Sequence, residues 1–350
     1  MAQLAELRLN LSALTYNLQA IRQRVSGSTR IMAMIKADGY GHGAVQLARH
    51  LSNFGVSDFG VAFAAEGVAL RKGGVQGDIA VFQPDFQVNA GLYQQYELAA
   101  VVSDASQLTC LDAQTPVHLL LDSGMGREGL TIDQFETVIG ALKQRNWVGL
   151  GTHFACADMQ DRSHTQTQIA RFESALQLLD SETRKRLVIH AANSGAIHNF
   201  PETHYDMVRP GIWLYGLYDG AGDVAQKPVM SAWARLSLIK ELKPGQSVGY
   251  GANFVADRAM IVGVVCVGYA DGFLRGHQRF VFLRDLKCEV LGTISMDQMT
   301  IDLSEVPRPT VGEDVMLIDG PGIVQEARDL GTIAYERCCQ LGSRLPKRYI

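Results

Sequence analysis

The chain has 350 residues, a formal net charge of −4 at pH 7, and a composition of 47% hydrophobic and 19% charged residues. This length allows one large domain and a smaller one, and the composition is typical of a soluble protein with a sizeable core. Because no long run of one charge sign occurs, we expect neither nucleic acid nor a membrane surface as a partner.

The start of the chain and its cysteines indicate the compartment. The N-terminal "MAQLAELRLNLSALTYNL" lacks the basic and apolar sections of a signal peptide, and no apolar stretch is long enough to span a membrane. The six cysteines include no CxxC pair and no metal-ligand spacing, which indicates buried free thiols and no metal site. These features predict a cytoplasmic protein.

In chain order, residues 1–10 contain the alternating run "AELRLNL", which predicts a strand that joins the C-terminal domain. Ser12 is the expected N-cap of the helix that follows. Eight short apolar runs then alternate with amphipathic segments such as "GAVQLARHLSNF" and the long "SHTQTQIARFESALQLLDSETRKR". The runs are "RIMAMIK", "DFGVAF", "DIAVFQ", "LAAVVS", "PVHLLLD", "WVGLGTHF", "RLVIHAA" and "DMVRPGI".

Continuous apolar strands that alternate with helices indicate a parallel sheet. Eight such units within residues 11–230 predict an N-terminal (β/α)8 TIM barrel, whose active site should lie at the C-terminal ends of the strands. Residues 231–350 change to short alternating strands with glycine and proline, which predicts a mostly β C-terminal domain with one short helix near "EARDLGTIAYERCCQLG". The fold class is therefore α/β.

Residues with chemical function recur at the ends of the predicted barrel strands. They are Lys36 after the first strand, Asp122, Met125 and Arg127 after the fifth, His153 at the sixth, Asn193 and Ser194 after the seventh, and Arg209 after the eighth. Scattered surface residues would not repeat at one end of a barrel, so this end is the predicted active site.

Lys36 has two interpretations. It is either a strand-end lysine with a buried stem and an ammonium in water, or a Schiff-base lysine in an apolar site that favours the neutral amine. The turn "VRPGIWLYG", with Ser194 and Tyr40, would suit a phosphate, although each feature alone is ordinary turn, cap or core chemistry. Together they favour a phosphorylated aldehyde cofactor, pyridoxal 5'-phosphate, held by Lys36.

Eight motifs occur in one order along the chain: "MIKADGYGHG", "LDSGMGREG", "GTHFACAD", "HAANSGA", "VRPGIWLYG", "GYGANF", "VGYADG" and "GTISMDQ". Through these motifs the chain resembles the pyridoxal-phosphate-dependent alanine racemase family over nearly its whole length. The first motif is close to diagnostic, and the set of eight is far more specific than any one of them.

The resemblance implies a role for each matching residue. Lys36 and Tyr250 are the two catalytic bases, and the family supplies the tyrosine from the partner subunit of a homodimer. The implied cofactor-binding residues are Lys36, Tyr40, His153, Asn193, Ser194, Arg209, Gly211 and Ile212. The implied substrate-binding residues are Arg127 and Met296, and the implied entrance residues are Asp158, Tyr269, Arg275 and Ser343. His153 and Arg209 are also the cations expected to lower the pKa of Tyr250.

Two positions depart from the family pattern. Leu120 stands where the family often has a carbamylated lysine that supports the arginine, so Arg127 must be supported differently. Ser343 stands where many members have a tyrosine that reaches the phosphate and narrows the entrance. A smaller residue there would widen the pocket beyond a methyl side chain.

The leading hypothesis is an alanine racemase that supplies D-alanine for cell-wall precursors by a two-base mechanism. The alternatives are a serine or broad-specificity amino-acid racemase, a decarboxylase on the same barrel plan, and a non-enzymatic pyridoxal phosphate carrier. Arg209 disfavours the decarboxylase, which usually places an acidic residue at the pyridine nitrogen. The "GYGANF" and "SMDQ" motifs disfavour the carrier, which would need only the barrel.

Overall fold

The structure is a computed structural model that describes residues 4–276 and 280–350. Its internal contacts divide the chain into two compact units. The barrel unit comprises Thr15–Gly39 and Ala44–Gln226, and the sheet unit comprises the described residues of Met1–Leu14, Tyr40–Gly43 and Lys227–Ile350. Within these described ranges, every helix is too short or too polar to cross a membrane.

Strands alternate with helices along the chain up to Val208, and most of the elements after it are strands. The strands are β1 (Ala5–Leu9), β2 (Arg30–Met34), β3 (Asp58–Val61), β4 (Asp78–Val81), β5 (Ala99–Val102), β6 (Val117–Leu121), β7 (Trp147–Thr152), β8 (Val188–His190), β9 (Met207–Val208), β10 (Met230–Leu242), β11 (Ser247–Val248), β12 (Phe254–Val255), β13 (Met260–Val265), β14 (Phe280–Leu283), β15 (Leu286–Leu291), β16 (Met299–Asp302), β17 (Asp314–Ile318) and β18 (Lys347–Tyr349).

The helices make up most of the remaining regular structure. They are α1 (Leu11–Arg24), α2 (Lys36–Tyr40, a left-handed turn), α3 (Ala44–Asn53), α4 (Ala64–Lys72), α5 (Phe86–Gln95), α6 (Ile132–Leu142), α7 (Ser163–Leu176), α8 (Ser181–Arg186), α9 (Ser194–Asn199), α10 (Gly320–Asp329) and α11 (Ala334–Leu341). Short 3-10 helices occupy Ala105–Cys110, Pro201–Thr203, Tyr250–Ala252 and Tyr269–Asp271.

Strands β2 to β9 form a closed parallel barrel in sequence order, which confirms the predicted fold class. Each of the eight apolar runs contains one of these strands, and β2 pairs with β9 to close the ring. Every residue of β3, β5 and β6 is buried. Such continuous burial is expected when side chains fill the barrel on one face and helices cover the other.

Strand β10 organises the sheet unit. It runs for 13 residues and pairs with β1, β13 and β17, all antiparallel. Strand β1 also pairs with β18 in parallel, so the first and the last described strands lie in this mostly antiparallel sheet. The "GYGANF" motif begins directly after β11 and ends in β12, the two short strands of a separate hairpin.

Two local predictions from the sequence were wrong. The N-cap of α1 is Asn10, whose side chain accepts the Ala13 N–H at 3.0 Å, and Ser12 lies inside the helix. The long amphipathic segment, for which no number of helices was predicted, forms two helices, because Asp180 caps α8 by accepting the Thr183 N–H at 2.7 Å. The short helix near the C-terminus is likewise two, α10 and α11. Side-chain caps stop or start a helix without changing the apolar periodicity.

The cysteines are all free, as predicted, but only two of them are buried. Cys288 and Cys338 are buried, and the other four are half-buried. Cys338 and Cys339 lie together on α11, where they pack as helix residues.

Candidate active site

The backbone after Lys36 adopts an unusual conformation. Residues 37–40 all have φ between 51° and 64°, in the left-handed region. Each non-glycine residue there costs about 1–2 kcal/mol relative to the right-handed conformation. The turn is closed by the Gly39 N–H, which donates to the Ile35 carbonyl at 2.8 Å. Because backbone preference opposes this turn, the contacts around it must maintain it.

The strand that leads into the turn is held on several sides. The Met34 N–H donates to the Pro210 carbonyl at 3.0 Å, and the Met34 carbonyl accepts the Tyr215 hydroxyl at 2.8 Å. The Ile35 N–H donates to the Gly60 carbonyl at 2.9 Å. The backbone that carries Lys36 is therefore fixed by the neighbouring strand ends.

Cationic neighbours mark the surroundings of Lys36. Its side chain is exposed in this protomer, and the apolar site stays a prediction. Lys36, Arg127 and Arg209 all lie close enough to His153 for their charges to lower its pKa. Electrostatic neighbours, and not burial of the lysine, distinguish this end of the barrel.

Arg127 lies on a loop that a single carboxylate shapes. Asp122 Oδ1 accepts the N–H groups of Gly124 and Met125, each at 2.8 Å, and that of Gly126 at 3.1 Å. The Arg127 side chain is 57% exposed, and its Nε lies 3.8 Å from a carboxylate oxygen of Glu128. Leu120 is buried on the same face of β6 as His118, which places an apolar group inside the barrel.

A buried chain of hydrogen bonds supports Arg209, which is 3% exposed. One guanidinium nitrogen lies 2.6 Å from His190 Nδ1, and another donates to the Thr152 carbonyl at 2.8 Å and lies 3.2 Å from His153 Nδ1. His190 Nε2 in turn lies 3.0 Å from His118 Nδ1. This series of hydrogen bonds therefore runs from the site into the barrel interior.

The direction of these bonds assigns the protons. A guanidinium only donates, so Nδ1 of His190 and Nδ1 of His153 must accept. His190 then carries its proton on Nε2 and donates to His118. Burial lowers the pKa of His118 to about 4 and the pKa of His190 well below its ordinary value, with the charge of Arg209 adding to both. All three imidazoles are therefore neutral at pH 7.

His153 was expected to act as a cation, and that expectation was wrong. Burial, followed by the charges of Arg209, Arg127 and Lys36, lowers the pKa of His153 to about 3. Burial also lowers the pKa of Arg209, but only to about 10, so the guanidinium stays charged at neutral pH. The site thus contains positive side chains around a neutral imidazole, an environment suited to an anionic ligand.

Two glycines of β7 make room for this chain. A Cβ at Gly149 would lie 2.0 Å from His118 Nδ1, and a Cβ at Gly151 would lie 2.3 Å from His190 Cε1. The sequence reasoning missed His118 and His190. The sequence does contain a signal for them. The apolar runs "PVHLLLD" and "RLVIHAA" each contain one histidine, and the run between them, "WVGLGTHF", has two glycines at alternate positions.

The loops after β8 and β9 meet at Ser194. Its hydroxyl oxygen accepts the Gly211 N–H at 3.0 Å and the Trp213 N–H at 3.3 Å. Asn193 caps α9 by accepting the Ala196 N–H at 3.0 Å, and Ile212 is buried. With its lone pairs engaged, the Ser194 hydroxyl keeps its proton for an anion, which fits a phosphate.

The sheet unit contains the other predicted site residues. The Tyr269 N–H donates to the Ser295 carbonyl, and the Ala270 N–H to the Met296 carbonyl, each at 3.1 Å. Arg344, next to Ser343, donates to Asp297 at 2.8 Å. These bonds bring Tyr269, Met296 and Ser343 into one region of the unit.

The remaining predicted residues are distributed between the units. Tyr40 is buried in the sheet unit, where burial raises its pKa, and its ring centroid lies 5.8 Å from that of Tyr335. Tyr250 and Arg275 are exposed there, Tyr250 to 70%. Asp158 is exposed in the barrel unit, where its carbonyl accepts the Ala221 N–H.

A parallel barrel that gathers a lysine, two guanidiniums and a neutral imidazole at the C-terminal ends of its strands has the site of a barrel enzyme with an anionic ligand. Residues 9–219 match the model of the alanine racemase N-terminal domain, and residues 229–349 match that of the C-terminal domain. The chain belongs to the alanine racemase family and is therefore an enzyme, an isomerase of the racemase class.

Individual relatives agree with this assignment. The chain is 35% identical to the alanine racemase of Desulforamulus reducens, over 98% of each chain. The alanine racemase structure from Clostridium difficile 630 matches with a TM-score of 0.92 and 28% identity, over 100% of this chain and 96% of that one. The structure from E. faecalis matches with a TM-score of 0.91 and 31% identity, over 99% and 98%.

Acid should destabilise the barrel through His118 and His190. Both are neutral when folded, because burial lowers the pKa of His118 to about 4 and that of His190 well below its ordinary value, whereas the unfolded chain binds these protons at about pH 6.5. The unfolded state therefore binds more protons as the pH falls from about 6.5 to 4. The free energy of unfolding should fall by about 1.4 kcal/mol per pH unit for each histidine.

Urea unfolding at several pH values in this window measures the effect. His118→Asn should bind about one proton fewer on unfolding, and its stability should fall less steeply with acid. Ile79→Val, in the core of the same barrel, should lose about 1 kcal/mol but keep the wild-type slope. An unchanged slope in His118→Asn would contradict a neutral His118.

Proposed function

We propose that this protein interconverts L- and D-alanine with pyridoxal 5'-phosphate, which it binds through Lys36. The observation that carries the proposal is the convergence of Lys36, Arg127 and Arg209 on His153 at the C-terminal ends of the barrel strands. The alanine racemases that the chain resembles support alanine as the substrate. We further propose a cytoplasmic enzyme that supplies D-alanine for peptidoglycan precursors.

The barrel residues fit the cofactor. Lys36 supplies the amine for a covalent link to its aldehyde, and the Ser194 hydroxyl with the backbone N–H of Ile212 would hold its phosphate, while the Gly211 N–H orients the serine oxygen. When bound, the cofactor supplies an electron-accepting ring that makes the α-proton of an amino acid acidic. The positive charge of Arg127 suits the substrate carboxylate, and Tyr40 and Asn193 are proposed as further cofactor contacts.

Arg209 would donate to the ring nitrogen of the cofactor. Since the guanidinium keeps its proton, that nitrogen would stay unprotonated and the ring would withdraw electron density less strongly. A weaker electron acceptor shortens the life of the deprotonated substrate, which disfavours transamination. It also disfavours the decarboxylase alternative, which requires a stronger electron acceptor.

Two bases are needed because racemisation removes a proton from one face of the α-carbon and returns one to the other. Lys36 is proposed to serve the D-enantiomer and Tyr250 the L-enantiomer. A neutral His153 brings no positive charge to Tyr250. Its Nε2–H is instead a hydrogen-bond donor, which stabilises a phenolate without titrating.

We propose that Tyr250 comes from the partner subunit of a homodimer, together with Met296, which would help to place the substrate carboxylate. In this protomer Tyr250 is 70% exposed, Met296 53% and Tyr269 40%, so these large side chains are available to a partner surface. A twofold interface would use them twice and form two composite sites. Asp158, Tyr269, Arg275 and Ser343 would then border the entrance.

The purified protein should convert L-alanine to D-alanine and absorb visible light through its bound cofactor. Lys36→Ala should lose both the absorption and nearly all racemisation, because no other amine replaces the covalent link. Chiral chromatography after incubation with each L-amino acid measures the activity and ranks the substrates. Lys72→Ala, on the outside of α4, is a matched control that should retain activity. Wild-type turnover in Lys36→Ala would refute the proposal.

If each site takes one base from each subunit, two inactive variants should restore activity when they are mixed. Lys36→Ala and Tyr250→Phe should each be inactive alone, since each lacks one base. A mixed dimer has one site with both bases, so mixing should restore up to about a quarter of wild-type activity when subunits exchange at random. The measurement is racemisation after mixing, with mixed dimers counted by mass spectrometry. Mixed dimers without activity would show that the sites are not shared.

Ser343 offers a test of the serine or broad-specificity alternative. If its small side chain widens the entrance, Ser343→Tyr should favour alanine over serine by about 1–3 kcal/mol, the range available from one steric change. The ratio of kcat/KM for L-alanine and L-serine measures this change. Ser343→Thr is the control for the hydroxyl, which donates to the Gln340 carbonyl. An equal ratio in wild type and Ser343→Tyr would place Ser343 away from the substrate.

A further inference from the structure

Glu66 links two loops of the barrel unit. Its Oε2 accepts the Ala62 N–H at 2.6 Å and the Phe63 N–H at 3.2 Å, which caps the start of α4. Its Oε1 accepts the Ala37 N–H at 2.7 Å. One carboxylate therefore holds the loop after β3 and the residue that directly follows Lys36.

The cap does not require a carboxylate. Gln107 caps its 3-10 turn in the same way, with one amide oxygen accepting the N–H groups of Ser103 at 2.9 Å and Asp104 at 3.2 Å. A neutral side chain with a single acceptor thus completes the same local motif. At Glu66 the second oxygen and the negative charge serve the contact with Ala37.

The contact with Ala37 completes the restraint of the Lys36 backbone. The peptide plane before Lys36 is fixed through the Ile35 carbonyl, which accepts the Gly39 N–H at 2.8 Å. The peptide plane after Lys36 contains the Ala37 N–H, which Glu66 holds. Because peptide units are planar, fixing both planes fixes the two backbone dihedrals of Lys36 and the direction of its Cα–Cβ bond.

We propose that Glu66 is a positioning residue for Lys36, holding the first peptide of the left-handed turn so that the lysine side chain leaves the backbone in one direction, toward the site. The Glu66 contact is electrostatically strong, since an anionic acceptor binds a backbone N–H more tightly than a neutral one. Only the catalytic importance of this position rests on the proposed function; the restraint of the backbone does not.

The informative variant is Glu66→Gln. Its amide oxygen can keep the cap at Ala62 and Phe63, as Gln107 does in its own turn. The amide NH2 group then faces the Ala37 N–H, donor against donor. Helix α4 should therefore remain folded while the peptide after Lys36 loses its acceptor.

Hydrogen–deuterium exchange of the full-length holoenzyme, read by fragmentation mass spectrometry, tests the restraint directly. In Glu66→Gln the amide of Ala37 should exchange about tenfold faster or more, the size expected for losing a charge-assisted hydrogen bond, while residues 67–72 keep their protection. Racemisation of alanine should show a kcat lowered about tenfold with KM within about twofold, because positioning acts on the reacting groups.

Two further variants make the result decisive. Gln107→Ala removes a cap of the same kind elsewhere in the barrel and should change neither the Ala37 exchange nor kcat. Glu66→Asp keeps the charge but is one methylene shorter, and it should lose the Ala37 contact as Glu66→Gln does. Wild-type Ala37 exchange and kcat in a folded Glu66 variant would overturn the inference. If the wild type racemises no amino acid, the proposed function fails, whereas the exchange comparison still tests the restraint.

Discussion

The barrel is organised around one buried charge, the guanidinium of Arg209. An ion taken out of water is costly unless its donors meet acceptors. Here the acceptors are the Thr152 carbonyl and the Nδ1 atoms of His190 and His153. A ring that accepts from a cation cannot itself be protonated at that atom, so the charge on Arg209 determines the neutrality of its neighbours. His190 in turn donates from Nε2 to His118, so Nδ1 of His118 is also unprotonated.

The buried hydrogen-bond chain also accounts for features of the strands. Two imidazoles inside a small barrel need volume, and Gly149 and Gly151 of β7 supply it by omitting a side chain. In return, the imidazoles hold the guanidinium in one orientation. A charge fixed before the ligand arrives needs no reorganisation during the reaction, which is how preorganised sites stabilise developing charge. The interior of this barrel therefore contributes to the chemistry at its end.

The sequence predicted the eight barrel strands because continuous burial leaves a strong apolar pattern. It placed Lys36, Arg127, His153 and Arg209 at one end because parallel strands all end on the same side. It missed the charge state of His153, which depends on burial and on the charges of three cations from distant parts of the chain. It missed His190 because one polar residue in an apolar run does not reveal its partner. Helix breaks such as the cap at Asp180 are local and leave the periodicity unchanged.

The conformation of "KADGYGHG" follows from two different requirements. Gly41 and Gly43 have positive φ and no room for a side chain, since a Cβ would lie 2.4 Å from the Cys338 carbonyl and 1.9 Å from the Tyr349 hydroxyl. Ala37 and Asp38 adopt the same left-handed region with side chains, against their preference. Contacts offset that preference: Glu66 accepts the Ala37 N–H, and Asp38 accepts the Ala44 N–H at 2.9 Å. The strain is therefore located next to Lys36, where a backbone held by several contacts restricts the lysine more than a relaxed loop would.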